Sequence, residues 1–142
     1  MVDTKRKVLI ICTGNSCRSQ MAEAFVNMEF DNEWEAYSAG TNPSNLNPRT
    51  VQVMTELGID ISGQRSKSLD EFLPRDDLDL IITVCDHARE SCPVFPGNVE
   101  HVHLGFDDPA PFSDEPNDIA LPVFRRVRDE IREKLLDFLK NR

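Results

Sequence analysis

Cys12 and Arg18 enclose five residues in the segment Cys-Thr-Gly-Asn-Ser-Cys-Arg-Ser, Cys12 to Ser19. A short loop between a buried strand and a helix turns successive backbone N–H groups toward one point and makes an anion nest. The helix start adds its unpaired donors and the positive end of its dipole. Arg18 adds a planar fork for two oxygens of a tetrahedral anion. Thr13, Gly14, Asn15, Ser16, Cys17, Arg18 and Ser19 are thus the predicted oxyanion-binding residues. Helix starts and nearby cations lower a thiol's pKa, so Cys12 is expected to be a reactive thiolate beneath the bound oxyanion. The hydroxyls of Ser16 and Ser19 are short enough to bond that sulfur or a leaving oxygen. The bare spacing also arises by chance, with Cys12 a strand residue and Arg18 a surface residue. Gly14 and Asn15 inside the segment, and the elements on either side, argue for function.

Two other groups carry chemistry. Phe106 to Pro111 (Phe-Asp-Asp-Pro-Ala-Pro) sets Asp107 and Asp108 side by side. A thiolate that expels a poor oxygen leaving group needs a proton donor, and the proline after Asp108 restricts that aspartate's backbone. Cys85 and Cys92 bound the segment Cys-Asp-His-Ala-Arg-Glu-Ser-Cys. They read in three ways: as small buried residues, as zinc ligands with His87, His101 and His103, or as a redox relay. The spacing matches no common zinc knuckle.

The elements that must position these groups follow from periodicity. Lys7 to Cys12 is a continuous apolar run, consistent with a fully buried parallel strand. A helix is predicted from Arg18 to about Glu29, with Met21, Ala24, Phe25 and Met28 at helical spacing. Trp34 to Ala39 reads as a strand ended by Gly40, and Asn42 to Pro48 as a polar loop. Pro48 opens a helix with Val51, Met54 and Leu57 on one face, stopped by Gly58. A short helix is expected at Ser68 to Phe72, a buried strand at Leu78 to Val84 and a weaker one at Val99 to Leu104. The last helix, about Asp118 to Leu139, places Phe124, Val127, Ile131, Leu135 and Phe138 on one stripe. Alternating strands and helices give a doubly wound, four-stranded parallel sheet flanked by helices. One domain over residues 1–142 is expected, without linker or repeat. Ligands bind beyond the carboxyl ends of the strands in such sheets. Cys12 and Cys85 both fall at such ends, so two sulfurs are expected to meet there.

Composition narrows the partners. Acidic residues outnumber basic ones 25 to 16, for a formal net charge of -9, which argues against nucleic acid. Any anionic ligand therefore needs a local positive site, which the loop at Cys12 supplies. No apolar run approaches the roughly 18 residues that span a bilayer. The apolar stretch after the charged Met1 to Lys7 is too short for a signal peptide. A cytoplasmic location without membrane attachment is the expectation. Four cysteines in a chain with a sizeable core point to catalysis, redox chemistry or metal binding rather than structural disulfides. No exposed apolar stripe stands out, so a monomer is expected.

The loop from Cys12 to Ser19 resembles the phosphate-binding loop of the low-molecular-weight protein tyrosine phosphatases and of the thioredoxin-coupled arsenate reductases built on the same fold. The resemblance runs from the first strand to the last helix. It implies that Cys12 is the nucleophile, Arg18 the oxyanion ligand, and Asp108, the aspartate directly before proline, the general acid. Val84 to Pro93 (Val-Cys-Asp-His-Ala-Arg-Glu-Ser-Cys-Pro) is similar to the reductases that carry two extra redox cysteines. The phosphatases tend to have proline where Gln20 stands and tyrosines after Asp-Pro, where this chain has Ala110, Pro111 and Phe112. The reductase branch implies attack of Cys12 on arsenate, a Cys12–Cys85 disulfide on release of arsenite, then a Cys85–Cys92 disulfide reduced by thioredoxin. No bound cofactor is implied. Phosphomonoester hydrolysis is the alternative, and a non-enzymatic arsenite or zinc module using three thiols a third reading. Were residues 85 to 92 helical, the two cysteines would lie about 10 Å apart, beyond the roughly 7 Å a disulfide tolerates. The segment would then have to unwind, and Pro93 limits its continuation as helix.

Some members of this family bind potassium beside the loop through residues matching Asn15, Glu23 and Ser38. The fourth position, acidic in those members, falls on Lys67. Either its ammonium replaces the ion or the matching position lies one residue away, so no resident metal is assigned.

Overall fold

The computed structural model describes residues 5–97 and 99–142; Met1 to Thr4, which open the charged N-terminal segment, and Asn98 lie outside the described residues. The first apolar run forms β1 (Arg6–Cys12), in which Val8, Leu9, Ile10 and Ile11 are fully buried. A strand apolar on both faces must be covered on both. β1 accordingly lies inside the sheet, between β2 (Trp34–Gly40) and β3 (Leu80–Thr83). With β4 (Glu100–His103) at the far edge the order is β2-β1-β3-β4, parallel throughout. This four-stranded parallel sheet with flanking helices is the predicted fold. The last two strands are shorter than their apolar patterns imply. β3 and β4 are in register only over Leu80 to Thr83 and Glu100 to His103.

Helix α1 (Arg18–Glu29) begins directly on the cysteine loop and buries Met21, Ala22, Phe25 and Val26 completely. Helix α2 (Pro48–Thr55) has Pro48 in its first turn, and Asn47 caps it by accepting from the Arg49 amide at 2.8 Å. Gly58, at φ +77, turns the chain away after it. The predicted face is partly corrected: Met54 is fully buried, but with Val53, while Val51 and Leu57 are half-buried. The cause is lateral cover. Arg128 of helix α4 (Asn117–Lys140) reaches across to the Val53 carbonyl at 2.9 Å and to Glu56 at 2.8 Å. The expected short helix is a single 3-10 turn at Leu69–Glu71, and another 3-10 turn occupies Ala110–Phe112. Helix α3 (Asp86–Ser91) fills the segment between Cys85 and Cys92.

Along α4, Phe124, Val127, Ile131 and Leu135 are buried as predicted, but Leu139 rather than Phe138 ends the stripe. The row from Val127 continues in steps of four, which brings Leu139 inward. No described helix is long and apolar enough to cross a membrane. Phe124 is fully buried, so Phe124→Ala is expected to lower the unfolding free energy by about 3–5 kcal/mol in chemical denaturation.

Candidate active site

Strand β1 delivers Cys12 at its carboxyl end, opposite Gly40 of β2. A Cβ at Gly40 would lie 2.5 Å from the Thr13 carbonyl oxygen, so only glycine lets the loop settle on the end of β2. The following segment then takes up the loop's carbonyls. Thr41 donates to the oxygen of Cys12 at 3.1 Å, Asn42 to Thr13 at 2.9 Å, Ser44 to Gly14 at 3.0 Å and Asn47 to Ser16 at 3.1 Å. The Ser66 hydroxyl also donates to the Gly14 carbonyl, at 2.8 Å. With the carbonyls engaged outward, the amides of Thr13, Gly14, Ser16 and Cys17 have no backbone acceptor among the described residues. They are the donors that a bound oxyanion needs.

Asn15 makes the turn in the left-handed region, at φ +49, a conformation that costs a non-glycine residue roughly 1–2 kcal/mol. Its fully buried side chain offsets this. Nδ2 donates to Ser19 Oγ at 2.7 Å, and Oδ1 accepts from the Lys67 amide at 2.8 Å and from Gln20 Nε2 at 3.1 Å. Because Ser19 Oγ accepts from Asn15, its own hydrogen is free for Cys12 Sγ, 2.9 Å away. The Asn15 amide donates to the same sulfur at 3.2 Å.

The expected depressed pKa of Cys12 is corrected in direction. Burial pushes the thiol above its ordinary range, since Cys12 is 2% exposed and its thiolate loses hydration. The Ser19 hydroxyl, the neighbouring backbone donors and the charge of Arg18 oppose that rise without overcoming it. Cys17, also buried, is pushed up by the same cause, with Ser16 and Thr50 opposing.

Arg18 is 8% exposed. Its Nη1 donates to the Phe106 carbonyl at 3.2 Å, Nη2 lies 3.5 Å from Asp108 Oδ2, and Nε has no partner among the described residues. A buried unpaired donor costs about 1–3 kcal/mol, and an anion over the loop would remove that cost. Asp108 and Asp107 are separated by the fold. Asp108 lines a cavity of about 230 Å³ with Cys12, Thr13 and Arg18, and its Oδ1 accepts from the Ala110 amide at 3.0 Å. Asp107 instead pairs with Arg126 of α4 at 3.2 Å.

Cys85 follows β3 and caps α3, accepting from the Ala88 amide at 3.4 Å. Its sulfur lies 3.3 Å from Thr13 Oγ1, beside the residue next to the candidate nucleophile. It lines a recess of about 520 Å³ that shares Arg18 and Asp108 with the cavity over Cys12. Cys12 and Cys85 therefore line adjoining spaces at the carboxyl ends of β1 and β3. Cys92 lies at the other end of α3, facing Pro93 and His101 rather than Cys85. His87 is exposed on α3, and His103 bonds Thr83 at 2.8 Å. Among the described residues no group of three or more histidine, cysteine or acidic side chains is placed to hold a metal ion.

Asn15, Glu23 and Ser38 converge behind the loop, and Lys67 joins them. Ser38 Oγ donates to Glu23 Oε1, and Lys67 Nζ lies 3.7 Å from the same oxygen. Burial raises the Glu23 pKa, with Ser38 and Lys67 opposing. Sequence reasoning missed several supporting residues: Ser44 and Ser66 on the loop carbonyls, and Gln20, whose Nε2 donates to the Asn15 carbonyl at 2.9 Å. They sit in aperiodic polar stretches, where spacing gives no signal. Gln20 was legible only as the residue standing where the phosphatases tend to have proline.

Residues 7–141 match the model of the family described as low-molecular-weight phosphotyrosine protein phosphatase. An arsenate reductase from Halalkalibacterium halodurans is 46% identical over 134 residues, covering 94% of this chain and 95% of that relative. A low-molecular-weight protein tyrosine phosphatase from T. tengcongensis is similar in structure, with TM-score 0.78 and 28% identity, over 97% of this chain and 100% of that one. A thioredoxin-dependent arsenate reductase from Corynebacterium glutamicum has TM-score 0.65 and 26% identity, over 100% of this chain and 66% of that one.

The Ser19 hydroxyl is the largest influence opposing the rise at Cys12. Ser19→Ala is expected to slow iodoacetamide alkylation of Cys12 at neutral pH by roughly tenfold, the effect of one hydrogen bond to a charged group. The difference should vanish at high pH; identical rates at every pH would contradict the assignment.

Proposed function

The chain belongs to the low-molecular-weight phosphotyrosine protein phosphatase family, and on that premise we propose that it is an enzyme reducing arsenate to arsenite. The observation that carries the reading is the Cys85 sulfur, 3.3 Å from Thr13 Oγ1 at the rim of the anion loop. Phosphoester hydrolysis needs one thiol there; reduction needs a second. The resemblance of the chain to arsenate reductases over nearly its whole length supports the same choice.

In the proposed reaction the loop amides and Arg18 hold the arsenate, and the Cys12 thiolate attacks arsenic. Asp108, 3.5 Å from Arg18, protonates the departing oxygen, which leaves as water. The Cys85 thiolate then attacks the Cys12 sulfur. The sulfur–arsenic electron pair stays with arsenic, which leaves as arsenite, and a Cys12–Cys85 disulfide forms. Two thiols have supplied the two electrons. Cys92 attacks Cys85, releases Cys12 and leaves a Cys85–Cys92 disulfide. The six-residue helix α3 stands between those two cysteines, so it must unwind to bring them within bonding range. The bridge is then presented to an external dithiol, for which thioredoxin is the proposed reductant. The thioredoxin dependence of the Corynebacterium glutamicum relative supports that choice. Thiols that are restored each cycle suit a reducing compartment such as the cytoplasm.

Lys67 is proposed to stand where a monovalent cation would otherwise sit. Its ammonium, 3.7 Å from Glu23, carries the charge that Glu23 and the loop behind Asn15 face. The neighbouring positions support the register, because Ser66 is spent on Gly14 and Ser68 caps the 3-10 turn. No step of the reaction runs through an ion.

Two measurements test this reading. Arsenate-dependent NADPH oxidation with thioredoxin and its reductase should be steady for the wild type and limited to one turnover, trapped as Cys12–Cys85, for Cys92→Ser. Continued turnover of Cys92→Ser would sink the relay, and phosphoester hydrolysis without arsenate turnover would assign the phosphatase activity instead. Replacing potassium by a larger inert cation should leave the wild-type rate unchanged; a strong potassium requirement would remove Lys67 from its proposed role.

A further inference from the structure

Cys92 is the one cysteine of the proposed relay that lies away from the anion loop, and nothing in that loop activates it. It is half-buried, and burial pushes its thiol above the ordinary range with no opposing influence. A thiol so placed is a poor nucleophile near neutral pH, because the thiolate is the attacking species. Its surroundings hold a base. His101 Nδ1, on β4, lies 3.9 Å from Cys92 Sγ. The two side chains line a recess of about 230 Å³ with Thr83, Arg89, Val102 and His103.

We propose that His101 is the general base for Cys92, taking its proton before Cys92 attacks the Cys12–Cys85 disulfide. This rests on the relay described above. In the step, the Cys92 S–H proton moves to His101 Nδ1, with the neutral imidazole carrying its hydrogen on Nε2. The Cys92 thiolate then bonds to Cys85 Sγ, the Cys12–Cys85 bond breaks, and its electron pair leaves on Cys12. One disulfide is consumed as one forms, so no oxidant is required. The imidazolium returns its proton to water. Imidazole is the side chain suited to this exchange, since one ring nitrogen accepts a proton while the other carries its own.

The surroundings select His101 over its neighbours. His103 faces the same recess, but its Nδ1 is 2.8 Å from Thr83 Oγ1 and its Nε2 3.4 Å from Asp86. From α3, Arg89 lines the recess and lies 3.4 Å from Asp86. From β4 itself, Glu100 pairs with Arg142 beyond α4. The Phe95 ring lies 6.4 Å from the imidazole and supplies an apolar side.

The test follows Cys92 directly in the full-length reduced protein. The pH dependence of its alkylation by iodoacetamide is read by peptide mass spectrometry in wild type, His101→Gln, His101→Asn and His87→Gln. Both His101 variants should alkylate roughly tenfold more slowly at pH 7 and converge with wild type at high pH; His87→Gln should match wild type throughout. In a single turnover with arsenate and no thioredoxin, the His101 variants should form Cys12–Cys85 at the wild-type rate and convert it to Cys85–Cys92 about tenfold more slowly. Superimposable alkylation profiles, or an equal loss in His87→Gln, would overturn the assignment. Alkylation needs no arsenate, so it judges the His101–Cys92 pair even if Cys92→Ser turns over and the relay itself fails.

Discussion

Everything at the site depends on where the carbonyls of one loop are bonded. A peptide group presents a donor and an acceptor in opposite directions, so committing the acceptors of Cys12, Thr13, Gly14 and Ser16 to the segment from Thr41 to Asn47 commits the facing donors to the other side. The anion nest is therefore made by residues that never touch the anion. Gly40 permits the close approach. Asn15 makes the left-handed turn, and Gln20, Ser19 and Lys67 hold Asn15 in it. Four polar residues at the base of α1 and β2 are fully buried for this purpose: Asn15, Ser19, Gln20 and Ser38. Buried polar groups are seldom left unbonded, and each of these four is bonded.

The same burial sets a conflict that the chemistry must resolve. It removes water from Cys12 and so disfavours the thiolate, while it strengthens every donor aimed at the sulfur. Here the first effect exceeds the second. In a chain with net charge -9, the buried guanidinium of Arg18 supplies the positive charge at the loop. Arg18 is held by a carbonyl and a carboxylate yet keeps one buried N–H unpaired. A donor fixed in place without a partner loses little on meeting an oxyanion, which is the meaning of a preorganised site.

The proposed redox chemistry asks the opposite of α3. The loop at Cys12 works by rigidity, whereas Cys85 and Cys92 meet only if a short helix opens. Six residues make a helix of marginal stability by themselves. Only Ala88 of that helix is buried, so little packing resists its unwinding. Low local stability is the usual property of elements that move.

Much of this was legible in the residues alone. The apolar run at β1, its cysteine end, the loop glycine and asparagine, and the arginine opening a helix all carry local signals, because strand burial, turn conformation and helix start are set by neighbours in the chain. The four-strand parallel sheet followed from the alternation of those elements. Contacts across the chain decided the rest. The sequence offers Asp107 and Asp108 as equals apart from one proline, and the fold separates them by giving Asp107 to Arg126 and turning Asp108 toward Arg18. The stripe on α4 was legible until its end, where the helix phase and the neighbouring core chose Leu139 over Phe138. Ser44, Ser66 and the His101–Cys92 contact had no signature, since no periodicity marks a polar residue that reaches across a fold. The pKa of Cys12 was misread because composition and spacing report nearby charge, while desolvation is a property of the packed interior. Chemistry carried by adjacent residues was written in the sequence; chemistry governed by burial and by distant partners was decided by the tertiary structure.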